Sequence, residues 1–368
     1  MSKKLAIIGA SSGQLPLCLK AKELGLELYV FAWDKNAVCK SVADQFIPIS
    51  ITEKEQITDI CKQIGINGVT SNCSDLTAEV VSYIATELGL PGVNYDQFLA
   101  IRDKYDVRNK AQAIKGLTPI RTRRLNEASD AIFPCVVKPV NGSSKFGVTY
   151  VACREELDNA VAYASAFKSE IIIEEFIPGH EISVETISCR GKHYIVQITD
   201  KDTSGAPHFV ELGHHQPARL PAVIAQKVQV VVPELLSLCG LNNSPAHIEF
   251  KYNETDLYLI EINPRGGGDE ISNKLVQLSS GHDYLRYIIE IALDDFHGLH
   301  ATPKSDAYAG IYFLCQQTKQ YLPVFTSDDK PDWLIEKHIE DPELINSTTN
   351  YDRNGYIIYR STHKIELA

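Results

Sequence analysis

The chain has 368 residues, and its 47 acidic and 36 basic side chains give it a formal net charge of −11 at pH 7. Apolar residues make up 44% and charged residues 23% of the sequence, proportions that exclude a disordered, collagen-like or coiled-coil protein. The length corresponds to two or three domains at roughly 150 residues each.

Composition and patterning also argue against two classes of partner. The longest apolar runs, such as 171–173 and 228–232, are far shorter than the roughly 20 residues that cross a bilayer. The N-terminus has no apolar segment followed by a cleavage signal, so we expect a cytoplasmic protein with no membrane partner. The acidic charge balance disfavours binding to nucleic acid.

The N-terminal part alternates strand and helix patterns, as in βαβ units on a parallel sheet. The predicted elements are strands at 5–8, 28–32 and 68–70 and helices at 14–24 and 77–88. The turn at 9–13 follows the first strand, but Ser11 stands where a dinucleotide fingerprint requires glycine. NAD binding is therefore disfavoured, whereas an anionic group at the following helix N-terminus remains open.

From residue 95 the pattern changes to one typical of an α+β region. The predicted elements are a helix-forming stretch at 95–115, strands at 135–138, 149–151, 171–175, 181–189 and 192–198, a helix at 222–238 and two strands within 246–263. Beyond about residue 300 the patterns are weak. The predicted fold class is therefore α/β followed by α+β.

A lysine, Lys138, closes the apolar strand at 135–138, and its ammonium group needs a partner because an unpaired buried charge is costly. The next loop, 142–147, carries Ser143, Ser144 and Lys145 between two glycines. Backbone amides, hydroxyl groups and two lysines around one loop could surround a polyphosphate. The alternative is a strand end with a surface lysine and a mobile loop.

The segment 174–181 offers a second candidate, because an extended Glu-Phe-Ile run can present main-chain groups to an adenine edge within an apolar slot. Its residues are Glu174, Glu175, Phe176 and Ile177 before a Pro-Gly turn and Glu181 after it. Glu181 could then accept hydrogen bonds from ribose hydroxyl groups. A plain strand, turn and strand is the alternative.

The strands within 246–263 suggest a hairpin. A register centred near residue 255 pairs Glu249 with Glu261 and His247 with Asn263 on one face, and Ile248 and Phe250 with Ile262 and Ile260 on the other. Opposed carboxylates roughly 5 Å apart repel each other unless a cation lies between them. Two glutamates and the Asn263 amide are hard oxygen donors that suit Mg²⁺ held jointly with nucleotide phosphates. The alternative is a solvated face on which Lys251 relieves the charge.

Two further loops carry polar groups. After the hairpin comes Arg265, whose guanidinium could hold a phosphoryl or carboxylate oxygen, and then three glycines that permit close approach of a substrate. A second cluster, at 211–217, contains Glu211, His214 and His215. These histidines either contact the substrate or lie on the surface.

Taken in order, these residues resemble the ATP-grasp superfamily over about residues 1–295. The resemblance rests on Lys104, Lys138-Pro139, the Gly-Ser loop, Glu175-Phe176-Ile177 with Glu181, and Glu249 with Glu261-x-Asn263-x-Arg265. Within the superfamily, Glu211-x-Gly-His214 and Asn263-Pro-Arg265-Gly-Gly-Gly look most like L-amino acid ligases, with carbamoyl-phosphate synthetase and biotin carboxylase further away. The resemblance implies a Rossmann-like domain at 1–94, a two-lobed ATP-grasp domain at 95–295 with a lid at about 117–178, and an extension at 296–368.

The resemblance also implies a role for each site residue. Lys104 and Lys138 would contact ATP phosphates under a lid that includes Ser143, Ser144, Lys145 and Gly147. Glu174 would meet the adenine amino group, the main chain of Glu175 and Ile177 the ring edge beside Phe176, and Glu181 the ribose. Glu249, Glu261 and Asn263 would hold Mg²⁺. Arg265, Gly266 and Gly267 would face the reacting groups, with Glu211 and His214 at the substrate pocket.

The implied activity is an ATP- and Mg²⁺-dependent ligase that activates a carboxylate as an acyl phosphate and joins it to an amine. An amino acid or dipeptide-type substrate fits this expectation, and we expect a homodimer. Three alternatives remain open at this point: activation of bicarbonate, an oxidoreductase that uses the N-terminal βαβ units, and a nucleotide-binding regulator without turnover.

Overall fold

The computed structural model describes residues 2–125, 132–142, 145–302, 305–341, 343–345 and 347–367. Within these ranges, three sheets and the helices packed on them account for the fold. Each sheet contributes one wall or one edge to the site described below.

The first sheet is parallel, and it confirms the predicted βαβ alternation. Its strands are β1 (Lys4–Ile8), β2 (Glu27–Ala32), β3 (Gln45–Pro48) and β4 (Gly68–Thr70), in the order β3-β2-β1-β4. The helices are α1 (Leu15–Glu23), α2 (Lys54–Ile64) and α3 (Asp75–Leu88). Both faces of β1 are covered, which explains its continuous apolar run. Helix α3 begins after Ser74, whose side chain accepts from the Thr77 N–H, and this cap places Asp75 at the sheet edge.

Two helices stand where the sequence suggested one helical stretch. They are α4 (Tyr95–Arg102) and α5 (Lys104–Ala111), and they meet at Asp103. Asp103 has extended backbone angles, and its carboxylate accepts from the Asp106 N–H as the N-cap of α5. The break therefore puts Lys104 at the first position of a helix, with its side chain directed to the site.

The second sheet is small and antiparallel. It comprises β5 (Thr122–Arg124), β6 (Cys135–Pro139), β7 (Thr149–Val151) and β8 (Ile171–Glu175), in the order β5-β8-β6-β7. Helix α6 (Leu157–Ser165) packs on it through Leu157, Ala160 and Ala164. The opposite face of β6 and β8 presents Lys138 and Glu174 to the site.

The third sheet has eight strands among the described residues. They are β9 (His180–Cys189), β10 (Lys192–Thr203), β11 (Glu211–Gln216), β12 (Ser244–Asn253), β13 (Asp256–Asn263), β14 (Tyr308–Leu314), β15 (Leu334–Ile339) and β16 (Gly355–Ser361). Their order is β13-β12-β9-β10-β11-β14-β16-β15. The region beyond residue 300, where the sequence patterns are weak, thus supplies three strands that continue the sheet past β11.

The remaining α-helices of the described residues are α7 (Ala222–Leu238), α8 (Val276–Ser280), α9 (Tyr284–Ala292) and α10 (Leu322–Thr326). Helix α7 buries Val228, Val231 and Leu235 against the third sheet, while α9 lies between that sheet and the parallel one. Within the described ranges, none of the helices combines the length and the apolar character needed to cross a bilayer.

The predicted register of the β12–β13 hairpin is correct at the site and wrong beyond it. His247 pairs with Asn263 and Glu249 with Glu261, as expected. The register then shifts between Glu249 and Phe250, so Phe250 faces Leu259 and not Ile260. A bulge of this kind adds one residue to one strand and turns it outward. Ile260 consequently lines the cleft at the site instead of the core.

Candidate active site

A cleft of about 150 Å³ lies between the second sheet and the β12–β13 hairpin, and we call it the inter-sheet cleft. It is lined by Lys104, Ile120, Val136, Lys138, Pro139, Gly142, Lys145, Val148, Glu174, Glu175, Phe176, Ile177, Glu181, Phe209, Glu249, Lys251, Ile260 and Glu261. The predicted ATP-binding residues among them therefore come together in one place. Ser143 and Ser144 lie outside the described residues. Gly147 has a left-handed φ of 74°, and an added Cβ there would come within 2.8 Å of both Phe167 and Pro139.

One end of the inter-sheet cleft is apolar and aromatic. Phe176 contacts Tyr150 edge to face at 4.9 Å between ring centroids and lies 6.0 Å from the ring of Phe209. Lys251 lies over Phe176 and pairs with Glu181 at 3.2 Å. A flat heteroaromatic ring fits such a slot. The Glu175 N–H is donated to the Arg121 carbonyl, so this amide belongs to the sheet and is not open to a ligand.

The other end of the cleft holds a buried charge cluster in which Glu174 bridges two cations. Its carboxylate lies 3.0 Å from Arg108 Nε and contacts the Lys138 ammonium. Burial raises the pKa of Glu174, but Arg108 and Lys138 outweigh it and lower that pKa to about 2. Burial lowers the pKa of Lys138 despite this partner. The Glu174 carboxylate therefore positions Lys138; because Glu174 also lines the cleft, its expected contact with an adenine amino group stays a prediction.

The opposed glutamates of the hairpin are satisfied by lysines. Glu261 lies 2.9 Å from Lys104 Nζ, which also donates to the Gly142 carbonyl at 2.7 Å. Glu249 contacts Lys201, a buried lysine of β10. Lys251, the residue that the solvated-face alternative required, pairs elsewhere. The mutual repulsion of the two carboxylates is therefore relieved by cations, as expected, but in the structure these cations are lysine side chains.

An imidazole lies behind Glu249. His247 Nε2 is 3.2 Å from Glu249, and Nδ1 contacts the fully buried Glu185. Burial lowers the pKa of His247, but Glu185 and Glu249 together raise it to about 9. Glu185 also accepts from the Gly267 N–H at 3.0 Å. The Glu185 carboxylate therefore fixes both the hairpin face and the loop that follows it.

The oxygen donors of the hairpin fit a hard divalent cation. Glu249, Glu261 and Asn263 all border one space, and carboxylate and amide oxygens are the ligands that Mg²⁺ prefers. Of the three residues, Asn263 and Glu261 come from β13 and Glu249 from β12. Two adjacent strands thus present all three of these oxygen donors.

A second space of about 280 Å³ adjoins the inter-sheet cleft, and we call it the polar cavity. Its lining is Cys73, Asp75, Lys145, Lys201, Glu211, His247, Glu249, Glu261, Asn263, Arg265, Gly268, Asp269, Ile271, Asn350, Tyr351 and Arg353. Lys145, Glu249 and Glu261 border both spaces. The glutamate pair therefore stands where the two spaces meet.

Arg265 enters the polar cavity and pairs with Asp75 at the start of α3. The two predicted substrate-binding glycines beside it are packed against protein atoms. An added Cβ would lie 2.4 Å from Asn72 Oδ1 at Gly266 and 2.7 Å from His247 Nδ1 at Gly267. The Gly267 N–H is already donated to Glu185, so this amide is not open to a substrate; the expected substrate contacts of Gly266 and Gly267 stay a prediction. Gly268 borders the cavity instead.

The polar cluster at 211–217 forms β11 and is buried, which excludes its surface interpretation. His214 Nε2 lies 3.0 Å from Glu211 and 3.4 Å from Asp269, and the ring is fully buried. Arg353 holds Asp269 bidentately at 2.6 and 2.8 Å. Burial lowers the pKa of His214, but Asp269 and Glu211 raise it overall. His215 points the other way, to Asp202 and Tyr359.

The sequence patterns did not identify five residues that the structure places at the site: Arg108, Lys201, Phe209, Tyr351 and Arg353. For Lys201 the regular hairpin register would give His180 as its neighbour, and only the register shift between Ile195 and Gln197 brings it opposite Glu181. For Arg353 there was no signal, since its partner Asp269 lies far away along the chain.

Comparison with known proteins agrees with this geometry. A model of the ATP-grasp domain matches residues 131–274. This stretch of the chain therefore contains an ATP-grasp domain. Ligases with this domain are ADP-forming carboxylate–amine ligases that use ATP and Mg²⁺.

Two curated relatives and one solved structure give the range of similarity. The chain is 25% identical over 280 residues to a formate-dependent phosphoribosylglycinamide formyltransferase of Wolinella succinogenes, covering 72% of this chain and 70% of that protein. It is 33% identical over 148 residues to a D-alanine–D-alanine ligase of Christiangramia forsetii, covering 38% of this chain and 44% of that one. The fold matches an L-amino acid ligase from Bacillus licheniformis with a TM-score of 0.80 and 23% identity, over 98% and 94% of the two chains.

The Glu174 cluster predicts a particular pH dependence of stability. The pKa of Glu174 is lowered from an ordinary value of 4.5 to about 2 in the folded protein. The stability that its charge contributes is therefore fully present above pH 4.5 and is lost as the pH falls toward 2. Glu174→Gln should lower the free energy of unfolding by on the order of 3 kcal/mol at pH 7. The difference between wild type and variant should shrink in acid. Urea denaturation across this range measures it, with the exposed Glu254→Gln as control; a constant difference would contradict the assignment.

Proposed function

We propose that this chain is a ligase that activates a small carboxylic acid with ATP and joins it to an amine, with an amino acid as the acid or the amine. The observation that carries the proposal is the position of Glu249 and Glu261 at the junction of the two spaces. A nucleotide in the inter-sheet cleft would place its terminal phosphate at this junction. A carboxylic acid in the polar cavity would then meet that phosphate.

In the first half-reaction, the acid's oxygen attacks the terminal phosphate and ADP leaves. Mg²⁺ held by Glu249, Glu261 and Asn263 would neutralise charge on the phosphates. Lys138, positioned by Glu174, and Lys104 would supply further positive charge. This chemistry asks the protein mainly for alignment and electrostatic stabilisation, which rigid strands can provide.

In the second half-reaction, an amine displaces phosphate from the acyl phosphate. Arg265 enters the polar cavity next to the glutamate pair, so its guanidinium can stabilise the negative oxygen of the tetrahedral intermediate. Glu211 would border the amine, whereas the fully buried His214 lies behind Glu211 and does not line the polar cavity. Because its neighbours favour the protonated form of His214, we assign it a role in positioning Glu211 and not in removing a proton.

A substrate panel tests the proposed function directly. ADP release should rise when a carboxylic acid and an amine are supplied together with Mg²⁺ and ATP, and the amide should appear in equal amount. Bicarbonate in place of the acid should have no effect. ADP release with bicarbonate alone would favour the carboxylating alternative, and ATP binding without ADP release under any pair would favour a regulator. A homodimer stays a prediction that sedimentation analysis can examine separately.

Glu261→Gln removes one anionic oxygen donor from the proposed magnesium site. We expect turnover to fall about a thousandfold or more while the thermal unfolding temperature stays near that of the wild type, since the side chain is partly exposed. Glu254→Gln, on the turn of the same hairpin, is the matched control. Near-normal activity of the Glu261 variant at saturating Mg²⁺ would remove the metal assignment.

Arg265→Ala separates turnover from nucleotide binding. Arg265 borders the polar cavity but not the inter-sheet cleft, so kcat should drop by a factor of about 100 while the Kd for ATP changes little. Arg265→Lys should recover only part of the loss, because lysine cannot reproduce a bidentate contact. Equilibrium nucleotide binding and steady-state ADP release provide the two measurements. A variant that loses ATP affinity with kcat intact would reassign Arg265 to the nucleotide.

A further inference from the structure

A row of four aromatic side chains runs across the outside of the molecule toward the polar cavity. Tyr163 of α6 contacts Phe167 edge to face at 5.6 Å, Phe167 stacks on Phe146 at 6.1 Å, and Phe146 stacks on Tyr351 at 5.9 Å. All four are exposed, with Tyr351 the most so at 74%. Exposed aromatic rings that stack in a continuous row call for an explanation beyond core packing.

The row connects parts of the chain that are distant in sequence. Phe146 belongs to the loop that borders the inter-sheet cleft, and Tyr351 belongs to the C-terminal region that borders the polar cavity. The Phe146–Tyr351 stack is therefore a contact between the cover of one space and the rim of the other. Neither proposed chemical step uses these rings.

The loop under Phe146 is held from both sides. Lys145, which has a left-handed φ of 62°, reaches inward to 3.3 Å from Glu211. Phe146 therefore points outward, where Phe167 and Tyr351 hold its ring. Gly147 lets the chain pass close to Phe167 and Pro139, where a side chain would collide. The ring of Phe146 is thus fixed at the rim of the polar cavity.

Tyr351 is the ring that lines the cavity itself. Its neighbour Asn350 accepts from the Glu211 N–H at 3.0 Å, and Arg353 is clamped to Asp269. The backbone that carries Tyr351 is therefore tied to the cavity wall on both sides, although the ring is largely exposed. The backbone of Tyr351 is thus held in place while its ring remains exposed at the edge of the cavity, a position from which the ring can restrict entry.

We propose that Tyr351, backed by Phe146, is a specificity-determining residue that forms the outer wall of the polar cavity. It limits the size of the amine that can reach the acyl phosphate and keeps water from it. This inference rests on the proposed ligase function. The paired rings would accept small polar amines and exclude bulky ones.

The first test compares amines of increasing side-chain volume. Tyr351→Ala should raise the ratio of kcat/KM for a bulky amine over a small one by about tenfold, and it should increase ADP release when the acid is present without an amine. Phe146→Ala should give the same two changes. Tyr351→Phe retains the ring and Tyr163→Ala removes a ring of the same row that lines neither space, so both should behave as wild type. Unchanged selectivity in Tyr351→Ala would overturn the proposal.

The second test does not depend on ligase activity. Cys73 lines the polar cavity, whereas the half-buried Cys153 and Cys239 do not. Tyr351→Ala and Phe146→Ala should speed the modification of Cys73 by a bulky maleimide while leaving Cys153 and Cys239 unchanged, as followed by peptide mass spectrometry. Equal rates in wild type and variants would refute the wall. A protein that forms no amide but shows faster Cys73 labelling would instead refute the ligase proposal and retain the wall.

Discussion

The site depends on one electrostatic constraint: two glutamates face each other across an antiparallel hairpin. Glu249 and Glu261 repel each other, and the fold places a lysine against each one, Lys201 from β10 and Lys104 from α5. These lysines come from opposite sides of the hairpin. The need to bring both to one place links the helical pair α4–α5, the central strands of the third sheet and the hairpin into a single arrangement.

A second consequence of the constraint is a chain of alternating charges through the interior. Lys201 contacts both Glu249 and Glu211, Glu211 contacts His214, and Asp269 joins His214 to Arg353. Every member has at least one partner of opposite charge, which is what permits so many ionisable groups to be buried together. This row of ion pairs extends from the inter-sheet cleft to the C-terminal region. The region beyond residue 300 is therefore part of the site and not an appendage.

The sequence predicted those features that follow from local periodicity. Alternation gave the register that pairs Glu249 with Glu261, and the apolar run before Lys138 gave the strand that carries it. It could not give the bulge after Glu249, because an extra residue in one strand leaves no mark on the apolar pattern. It missed the link from Arg353 to Asp269 for a different reason: a contact across the fold has no local signature. Gly267 shows a third limit, since a glycine required for close approach looks the same whether the neighbour is a substrate or, as here, a histidine.

Lys104 has two partners, Glu261 in the structure and a nucleotide phosphate in the proposed enzyme. In the structure its ammonium group forms an ion pair with Glu261. In the proposed enzyme that ammonium group would bind the triphosphate, and the Glu261 carboxylate would bind Mg²⁺. The two exchanges are coupled, because either one alone would leave Lys104 or Glu261 without its partner of opposite charge. Binding of the nucleotide phosphates at Lys104 would therefore favour binding of Mg²⁺ at Glu261, and binding of Mg²⁺ would favour that of the nucleotide.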